Sequence, residues 1–255
     1  MPGISACIVT YGGYEEAVHA ASSVLEHTSA RPLKLYMVDN ASPDGTGEQL
    51  SRTEFAPNVQ VICLPKNVGF GSGHNTVLPM LDSDYHFVLN PDILVEYDVL
   101  SEMCDWMDAH PDVVMATPKL YFPDGRVQVL PKRRPNVLGL LARQGFDSLK
   151  KYGDRYAMLD KDLSKTTDIE FCTGSFFCIR TDVFREMGGF DEGYFMYVED
   201  ADITQKALQH GRVCFVPQFR AIHAWHRSPS KHLGQAWLQF KSMGRYFRKW
   251  GFALK

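Results

Sequence analysis

Carboxylates at two places in the chain have the spacing of acid, base or metal-binding groups. Glu199, Asp200 and Asp202 lie within four residues of one another, directly before apolar residues at helical spacing. Asn90 and Asp92 flank a proline at the end of an apolar run, and one carboxylate there can hold a cation that takes the rest of its shell from a diphosphate. Both patterns also have ordinary explanations, because acidic residues complement the dipole at a helix start and Asn-Pro-Asp forms turns. The spacing alone leaves both interpretations open.

Residues 67–75 form a glycine-rich segment between a predicted strand and a predicted helix. Glycines at such a position let backbone N–H groups approach a phosphate or a ring. A G-x-G-x-x-G match begins at Gly69, but its last position is His74 and the preceding strand is not the first of the chain, so the dinucleotide fingerprint is incomplete. A loop whose glycines serve only turns is the competing interpretation.

Two further segments carry residues that bind ligands in other proteins. His223 and His226 flank Trp225 shortly after the last predicted strand, next to Arg227. Histidines there can ligate a metal or contact phosphate, although a lone histidine is more often structural. Residues 188–197 combine glycines with aromatic side chains, which suits either the wall of a binding site or a core.

The elements that position these residues follow from hydrophobic periodicity. Short apolar strands alternate with helical patterns over the first hundred residues, which indicates βαβ units and a mostly parallel sheet. Ligands of such sheets bind at the carboxyl ends of the strands, and polar or glycine-rich residues follow each predicted strand here. The predicted strands cover residues 4–10, 33–38, 59–64 and 86–89.

The second half of the chain is less regular. A strand is predicted at 113–118, and residues 131–168 are interpreted as an insertion or flexible loop. A helix is expected to begin near Glu199 and to end by Gly211, with a strand at 213–216 and an exit at His223.

Composition narrows the class of protein. The 255 residues are 45% hydrophobic and 22% charged, which suits one large globular domain or two small ones. Lys plus Arg number 27 against 30 Asp plus Glu, a net charge of −3, so the global excess of positive charge typical of a nucleic-acid binder is absent. No apolar stretch approaches the roughly 20 residues that span a bilayer, and no signal peptide is visible. Six scattered cysteines without a C-x-x-C pair indicate reduced thiols in a cytoplasmic protein.

The C-terminal residues 237–250 place aromatic side chains three and four apart, with Lys and Arg between them. That pattern is typical of a basic amphipathic helix lying on an anionic membrane surface. A terminal helix that packs on the domain and keeps a solvated basic side has the same pattern. The apolar positions are Trp237, Phe240, Met243, Phe247 and Trp250.

Taken together, these segments resemble the family 2 glycosyltransferases with the GT-A fold, and most closely the bacterial rhamnosyltransferases that build polysaccharide chains. The resemblance extends from residue 4 to residue 226 and rests on an ordered set of short motifs. The motifs are Val9-Thr10-Tyr11, Val38-Asp39-Asn40-Ala41-Ser42, residues 67–75, Leu89-Asn90-Pro91-Asp92, Thr173-Gly174-Ser175-Phe176, Gly188-Gly189-Phe190-Asp191, Tyr197-Val198-Glu199-Asp200-Ala201-Asp202 and His223.

The resemblance implies an α/β fold of the nucleotide-diphospho-sugar transferase type, with a mostly parallel central sheet flanked by helices. The transferase domain would cover residues 1–228. Its nucleotide-sugar-binding half would be 1–118 and its acceptor and catalytic half 119–228, with a flexible 131–168. A basic amphipathic helix at 229–255 would follow.

The resemblance also implies roles for individual residues. Asp200 would be the general base, with Glu199 beside it. Asp92 and His223 would hold a divalent ion, Mg²⁺ or Mn²⁺, with His226 as a secondary candidate, and Asn90 would stand at the first position of the D-x-D motif. Acceptor or sugar contacts would come from Thr173, Gly174 and Asp191. Nucleotide and donor contacts would come from Thr10, Tyr11, Asp39, Asn67, Gly69, Gly71, Asn75, Asn90 and Asp92.

The activity that the resemblance implies is inverting transfer of a sugar, with L-rhamnose from dTDP-L-rhamnose favoured and UDP- or GDP-sugars as alternatives. The acceptor would be a hydroxyl of a lipid-linked saccharide at the inner face of the cell membrane, reached through the C-terminal helix. A homodimer is compatible with this activity, and no nucleic acid takes part. Two rival classes are a sugar-phosphate nucleotidyltransferase, which would need a basic glycine-rich loop that residues 10–14 lack, and a non-catalytic carbohydrate-binding module.

Overall fold

The computed structural model describes residues 3–128, 131–142, 147–224 and 233–254. Within these ranges one nine-stranded sheet carries helices on both faces. The strands are β1 (Ile4–Thr10), β2 (Leu33–Asp39), β3 (Val59–Cys63), β4 (Tyr85–Leu89), β5 (Ile93–Leu94), β6 (Val113–Tyr121), β7 (Thr167–Asp168), β8 (Phe176–Arg180) and β9 (Arg212–His223). The α-helices are α1 (Tyr14–His27), α2 (Thr46–Arg52), α3 (Phe70–Asn75), α4 (Val99–Asp108), α5 (Val137–Ala142), α6 (Lys150–Tyr156), α7 (Thr181–Glu186), α8 (Glu199–Ala207) and α9 (Leu233–Trp250).

The first four strands form the parallel half of the sheet. They lie in the order β3-β2-β1-β4, and every pair among them is parallel. All four begin and end within one residue of the predicted positions. Parallel strands end at the same edge, so this arrangement brings Thr10, Asp39 and Asn90 to one side of the sheet.

The other half of the sheet is mixed rather than parallel. Strand β8 inserts between β4 and β6 and runs antiparallel to both, while β6 and β9 pair in parallel. Because β8 is reversed, its beginning and not its end lies at the site edge, where Asn90 donates its backbone N–H to the Ser175 carbonyl at 2.9 Å. The expectation of a mostly parallel sheet therefore holds for β1 to β4, and the complete sheet is mixed.

Strand β9 is three times as long as the predicted 213–216 segment. Its register against β6 shifts where Pro118 pairs with Val216 and Lys119 pairs with Arg220, which is the signature of a bulge. The bulge absorbs a proline that interrupts the apolar pattern, and the strand then continues to His223, which pairs with Ile93 of β5.

Two hydrophobic clusters cover the two faces of the sheet. Alternate residues of β1 point to opposite faces, so Ile8 joins the cluster of α1 and α4 while Cys7 joins the cluster of α7 and α8. All six cysteines are free, and five of them are buried.

A third, smaller cluster joins the irregular segment to the C-terminal helix. Residues 131–168 contain the short helices α5 and α6, and Tyr156 at the end of α6 packs with Tyr246 and Phe247 of α9. The predicted aromatic face of α9 is divided, because Phe247 is buried while Trp237 and Phe240 are exposed. No helix in the described ranges has the length and hydropathy needed to cross a membrane.

The buried carboxylate of Asp202 forms hydrogen bonds that connect α9 to the rest of the domain. It accepts hydrogen bonds from the Lys249 ammonium at 2.8 Å, the Trp250 indole at 2.7 Å and the Tyr194 hydroxyl at 3.3 Å. Burying a carboxylate is costly unless its oxygens are paired, and these three donors supply the pairing.

We expect Asp202→Ala to lower the free energy of unfolding by about 3 kcal/mol, because the substitution leaves donors of α9 without their acceptor. Urea denaturation followed by circular dichroism measures the change. Asp124→Ala is the matched control, since Asp124 and Arg126 form an exposed ion pair whose loss is expected to have no measurable effect. Equal stability of Asp202→Ala and the wild type would contradict this account of how α9 is held.

Candidate active site

The carboxyl ends of β2 and β3 line a cavity of about 470 Å³. Asp39 is buried at its base and accepts hydrogen bonds from the backbone N–H and the hydroxyl of Ser42. The opposite wall is Gly47, where an added Cβ would lie 2.5 Å from Asp39 Oδ2. Only glycine leaves room beside the carboxylate. The remaining lining residues are Ala41, Glu48, Ser51, Arg52, Cys63 and Leu64.

The turn after β1 borders this cavity. The Thr10 hydroxyl donates to the Gly12 carbonyl at 2.5 Å, and the Gly12 N–H donates to the Ser42 hydroxyl at 2.7 Å. Tyr11 points outward with 58% of its surface exposed, as expected of a ring that is available for stacking on a ligand. The structure therefore brings Thr10, Tyr11 and Asp39 together at the end of adjacent strands.

The glycine-rich segment is held by Asn40, a residue that the sequence motifs include without a role. Its side chain accepts the Val68 N–H at 2.9 Å and donates to the Gly69 carbonyl at 3.1 Å. The Asn67 side chain accepts the Gly69 N–H at 2.9 Å. Gly69 has φ +88°, and a Cβ there would lie 2.1 Å from the Phe195 carbonyl oxygen, so this glycine allows a close approach of two backbones. Its neighbour Gly71 packs against the Phe190 side chain.

Asp92 and His223 meet at the edge of the sheet, where β5 pairs with the end of β9. The distance from His223 Nε2 to Asp92 Oδ1 is 3.3 Å, and that from His223 Nε2 to Asn90 Nδ2 is 3.4 Å. On its other side His223 contacts Gln128 twice. Gln128 Nε2 donates to the His223 carbonyl at 2.9 Å, so its Oε1 faces His223 Nδ1, also at 2.9 Å. An amide oxygen only accepts, so Nδ1 carries a proton, and the ring is oriented with Nε2 toward Asp92.

This arrangement fits two protein ligands of a divalent ion. Asp92 Oδ1 is buried and has no hydrogen-bond donor among the residues that the structure describes, and the second nitrogen of His223 is oriented by Gln128 as metal-ligating histidines usually are. Within the described residues no three His, Cys, Asp or Glu side chains come together to hold an ion by themselves. A metal bound here would take its other ligands from a substrate's phosphates and from water.

A cleft of about 480 Å³ joins this edge to the start of α8. Asn90, His223, Glu199 and Asp200 all line it. The two residues before α8, Tyr197 and Val198, both have φ +71°. This left-handed conformation is strained, above all for the β-branched Val198. Backbone strain of this kind is concentrated at functional sites and is maintained by the surrounding packing.

The two neighbouring carboxyl groups in the cleft differ in protonation. Burial, and then the negative charge of Asp200, raise the pKa of Glu199 to about 8, and Glu199 Oε2 has no hydrogen-bond partner within the described ranges. Burial also raises the pKa of Asp200, but Lys132 and the backbone N–H groups of Gly174 and Ala201 act in the opposite direction. Near neutral pH Glu199 is therefore the protonated member of the pair, while Lys132 and the two N–H groups favour the charged form of Asp200.

Lys132 and Gln128 are site residues that sequence reasoning did not select. Lys132 lies in the basic run after residue 130, with its ammonium 4.6 Å from the centre of the Phe171 ring, and it lines the cleft. Gln128 lies in the irregular stretch between β6 and α5. No strand end or motif marks either position, so only the folded chain reveals them.

Thr173 and Gly174 lie in the cleft as expected, whereas two other expected site residues have structural partners. The Asn75 amide group donates to the Phe190 carbonyl at 2.9 Å and accepts the Phe190 N–H at 2.8 Å. Asp191 pairs with Arg245 and Lys249 of α9, which help to lower the pKa of Asp191 to about 2 against the opposing effect of burial. The candidates Trp225, His226 and Arg227 lie outside the described residues.

The fold and the cleft define a glycosyltransferase of the GT-A type. The model of the family described as "Glycosyl transferase family 2" matches residues 5–188. The chain belongs to this family.

Two curated relatives are rhamnosyltransferases. The chain is 26% identical over 228 residues to the N-acetylglucosaminyl-diphospho-decaprenol L-rhamnosyltransferase of Mycobacterium tuberculosis, which covers 82% of this chain and 73% of that protein. It is also 26% identical over 196 residues to the rhamnosyltransferase WbbL of Escherichia coli, covering 71% of this chain and 70% of the relative. The resemblance inferred from the motifs is thereby confirmed at the level of the family and its rhamnosyltransferase relatives.

Solved structures confirm the fold. GalNAc-T7 with UDP, GalNAc and Mn²⁺ superposes with a TM-score of 0.71 at 17% identity, covering 97% of this chain. The mannosyltransferase PcManGT of Pyrobaculum calidifontis with GDP-Man and Mn²⁺ gives 0.64 at 16% identity, again over 97% of this chain. The chain spans 48% of the former structure and 64% of the latter. Both of these GT-A structures contain Mn²⁺, which is consistent with the two-ligand site.

The thiol of Cys63 provides a test of the cavity around Asp39. Cys63 is the exposed one of the six cysteines and lines this cavity. We expect N-ethylmaleimide to modify Cys63 alone and dTDP or UDP to slow the reaction, by about tenfold when the nucleotide is at roughly ten times its Kd. Mass spectrometry measures the rate, and Cys63→Ser is the unlabelled control. A nucleotide that binds by calorimetry without slowing the modification does not occupy this cavity.

Proposed function

We propose that the protein transfers a sugar from a nucleotide diphosphate to an acceptor hydroxyl with inversion at the anomeric carbon, with Asp200 as the general base. The observation that carries the proposal is that Asp200 and the Asn90 and His223 pair line one cleft. A base and a diphosphate site that share a cleft allow an acceptor oxygen to attack from the side opposite the leaving group.

Asp200 has the properties that the proton transfer needs. Lys132 and the N–H groups of Gly174 and Ala201 favour its charged form, in which it can accept the proton of the acceptor hydroxyl as that oxygen attacks. Glu199 is neutral near pH 7, so it does not add a second negative charge that would repel a diphosphate in the cleft. One carboxylate acts as base and no covalent sugar intermediate is needed.

The leaving diphosphate gains negative charge during the transfer. Asp92 and His223 lie at the edge of the sheet where a cation could balance that charge. A divalent ion bound there supplies the positive charge that stabilises the leaving group. Gln128 keeps the His223 ring in one orientation, and the Asn90 amide is a hydrogen-bond donor at the same edge. We propose that the cavity of Asp39, with Thr10 and Tyr11 at its rim, receives the nucleoside.

Among donors we propose dTDP-L-rhamnose. Support comes from the two rhamnosyltransferase relatives and from the Asn-Pro-Asp form of the motif at residues 90–92. UDP- and GDP-sugars are the alternatives. We propose a lipid-linked saccharide as the acceptor, by analogy with the relative whose name specifies a decaprenol-linked acceptor.

The experiment that tests this function combines donor binding with turnover. Calorimetry with dTDP-rhamnose, UDP-glucose, UDP-N-acetylglucosamine and GDP-mannose, each with Mg²⁺, Mn²⁺ or chelator, should give metal-enhanced binding that is selective for dTDP-rhamnose. Asp200→Asn should lower transfer by a factor of at least about 10³ and leave donor binding within about twofold, because the amide cannot accept the proton. Glu199→Gln is the control, since an amide replaces a group that is already neutral.

Near-normal turnover by Asp200→Asn would remove Asp200 from the mechanism. Preference for another donor would leave the reaction type and discard rhamnose. Failure to bind any donor would favour a non-catalytic carbohydrate-binding module.

We further propose that α9 contacts an anionic membrane surface at the inner face of the cell membrane. The support is the exposure of Trp237, Phe252 and Leu254 close to the basic residues of the helix. Trp237→Ala combined with Phe252→Ala should reduce cosedimentation with vesicles that contain anionic lipid by about tenfold. The exposed Leu159→Ala is the control, and equal sedimentation of the double variant and wild type would exclude this surface as the contact.

A further inference from the structure

A groove of about 340 Å³ lies between α9 and the loop before α8. Three cationic side chains line it beside large apolar groups. The residues that determine its chemistry are Phe195, Leu238, Phe240, Lys241, Arg245 and Arg248.

The groove and the cleft of Asp200 share a wall. Phe195 lines the groove while its neighbour Met196 lines the cleft. The same alternation occurs on α9, where Ser242 lines the groove and Met243 lines the cleft. The Ser242 hydroxyl donates to the Met196 carbonyl at 2.8 Å, so helix and loop are joined along this wall. A ligand whose sugar reaches Asp200 can therefore extend over the wall into the groove.

The charges in the groove favour an anion. Arg245 is paired with Asp191 at 2.6 Å and lies over the Tyr194 ring. Lys241 and Arg248 are exposed, and no carboxylate of the described residues forms an ion pair with either. Two cations are thus available to a ligand without the loss of an existing ion pair.

The apolar side of the groove favours a hydrocarbon next to that anion. Phe240 exposes 75% of its surface and Phe195 exposes 41%, and covering such rings with an apolar ligand is favourable. A volume of about 340 Å³ is at the lower end of the roughly 300–1,000 Å³ typical of ligand pockets, which suits a phosphate group and a short length of hydrocarbon.

We propose that this groove binds the phosphate-bearing isoprenoid end of the acceptor, while the saccharide of the same molecule enters the cleft. This inference rests on the proposed function, because it requires an acceptor that is both lipid-linked and glycosylated at Asp200. A membrane surface needs cations and exposed rings but no wall shared with the cleft. The shared wall therefore favours the acceptor over the bilayer as the occupant.

Binding in vesicle-free buffer tests the groove directly. Calorimetry should show that farnesyl diphosphate, below its aggregation concentration, binds at least about tenfold more tightly than inorganic pyrophosphate or farnesol alone. The double variant Lys241→Ala, Arg248→Ala should weaken this binding by about tenfold or more, since it removes two charge-assisted contacts. Lys150→Ala with Lys151→Ala, two exposed lysines on α6, removes the same charge outside the groove and should leave binding unchanged.

Kinetics give a second readout. With a lipid-linked acceptor the groove variant should raise KM by about tenfold at unchanged kcat, whereas a water-soluble saccharide acceptor without lipid phosphate should be used equally by variant and wild type. Three results would each overturn the proposal. Farnesyl diphosphate could bind the groove variant and the wild type equally well, pyrophosphate could bind the wild type as tightly as farnesyl diphosphate does, or the protein could bind vesicles but not farnesyl diphosphate. Absence of transfer with every acceptor would instead count against the proposed function, because farnesyl diphosphate binding does not depend on turnover.

Discussion

The first turn of α8 places three carboxyl groups close together, Glu199 and Asp202 buried and Asp200 half-buried in the wall of the cleft, and the rest of the site depends on how the charge of each is balanced. Glu199 is neutralised by a proton, Asp200 by Lys132 and backbone N–H groups, and Asp202 by donors of α9. Two adjacent buried carboxylates cannot both ionise at low cost, so one member of the Glu199 and Asp200 pair holds a proton. The strained backbone at Tyr197 and Val198 orients this turn, and the hydrogen bonds from α9 hold it in place.

Much of this architecture was predictable because strand ends in a parallel sheet converge. The periodicity of the first hundred residues gave four strands to within one residue, and the rule that ligands bind at carboxyl ends led to Asp39, Asn90 and Asp92. The prediction of a mostly parallel sheet was incomplete. Nothing in the apolar run of β8 reveals that it enters reversed, since parallel and antiparallel buried strands have the same pattern.

Other parts of the site depend on pairings between distant segments. Gln128 orients His223, which lies 95 residues further along the chain, and Asp191 pairs with Arg245, which lies 54 residues further along. A motif specifies the type of a residue but not its partner, so the ion pairs of Asp191 with α9 could not be predicted from its motif. In the same way, the helical spacing of α9 could not distinguish buried Phe247 from exposed Phe240.

The neutral Asn90 would change the electrostatics of a cation held by Asp92 and His223. An aspartate there would add a negative charge beside Asp92, whereas the amide leaves the described protein ligands with one carboxylate and one imidazole. Such a pair attracts a divalent ion weakly by itself, and the charge of a diphosphate supplies the larger part of the attraction. Metal and donor should therefore bind cooperatively, each increasing the affinity for the other by the same factor. The arrangement couples the cation to the presence of the leaving group, which is the only species in the proposed reaction that needs it.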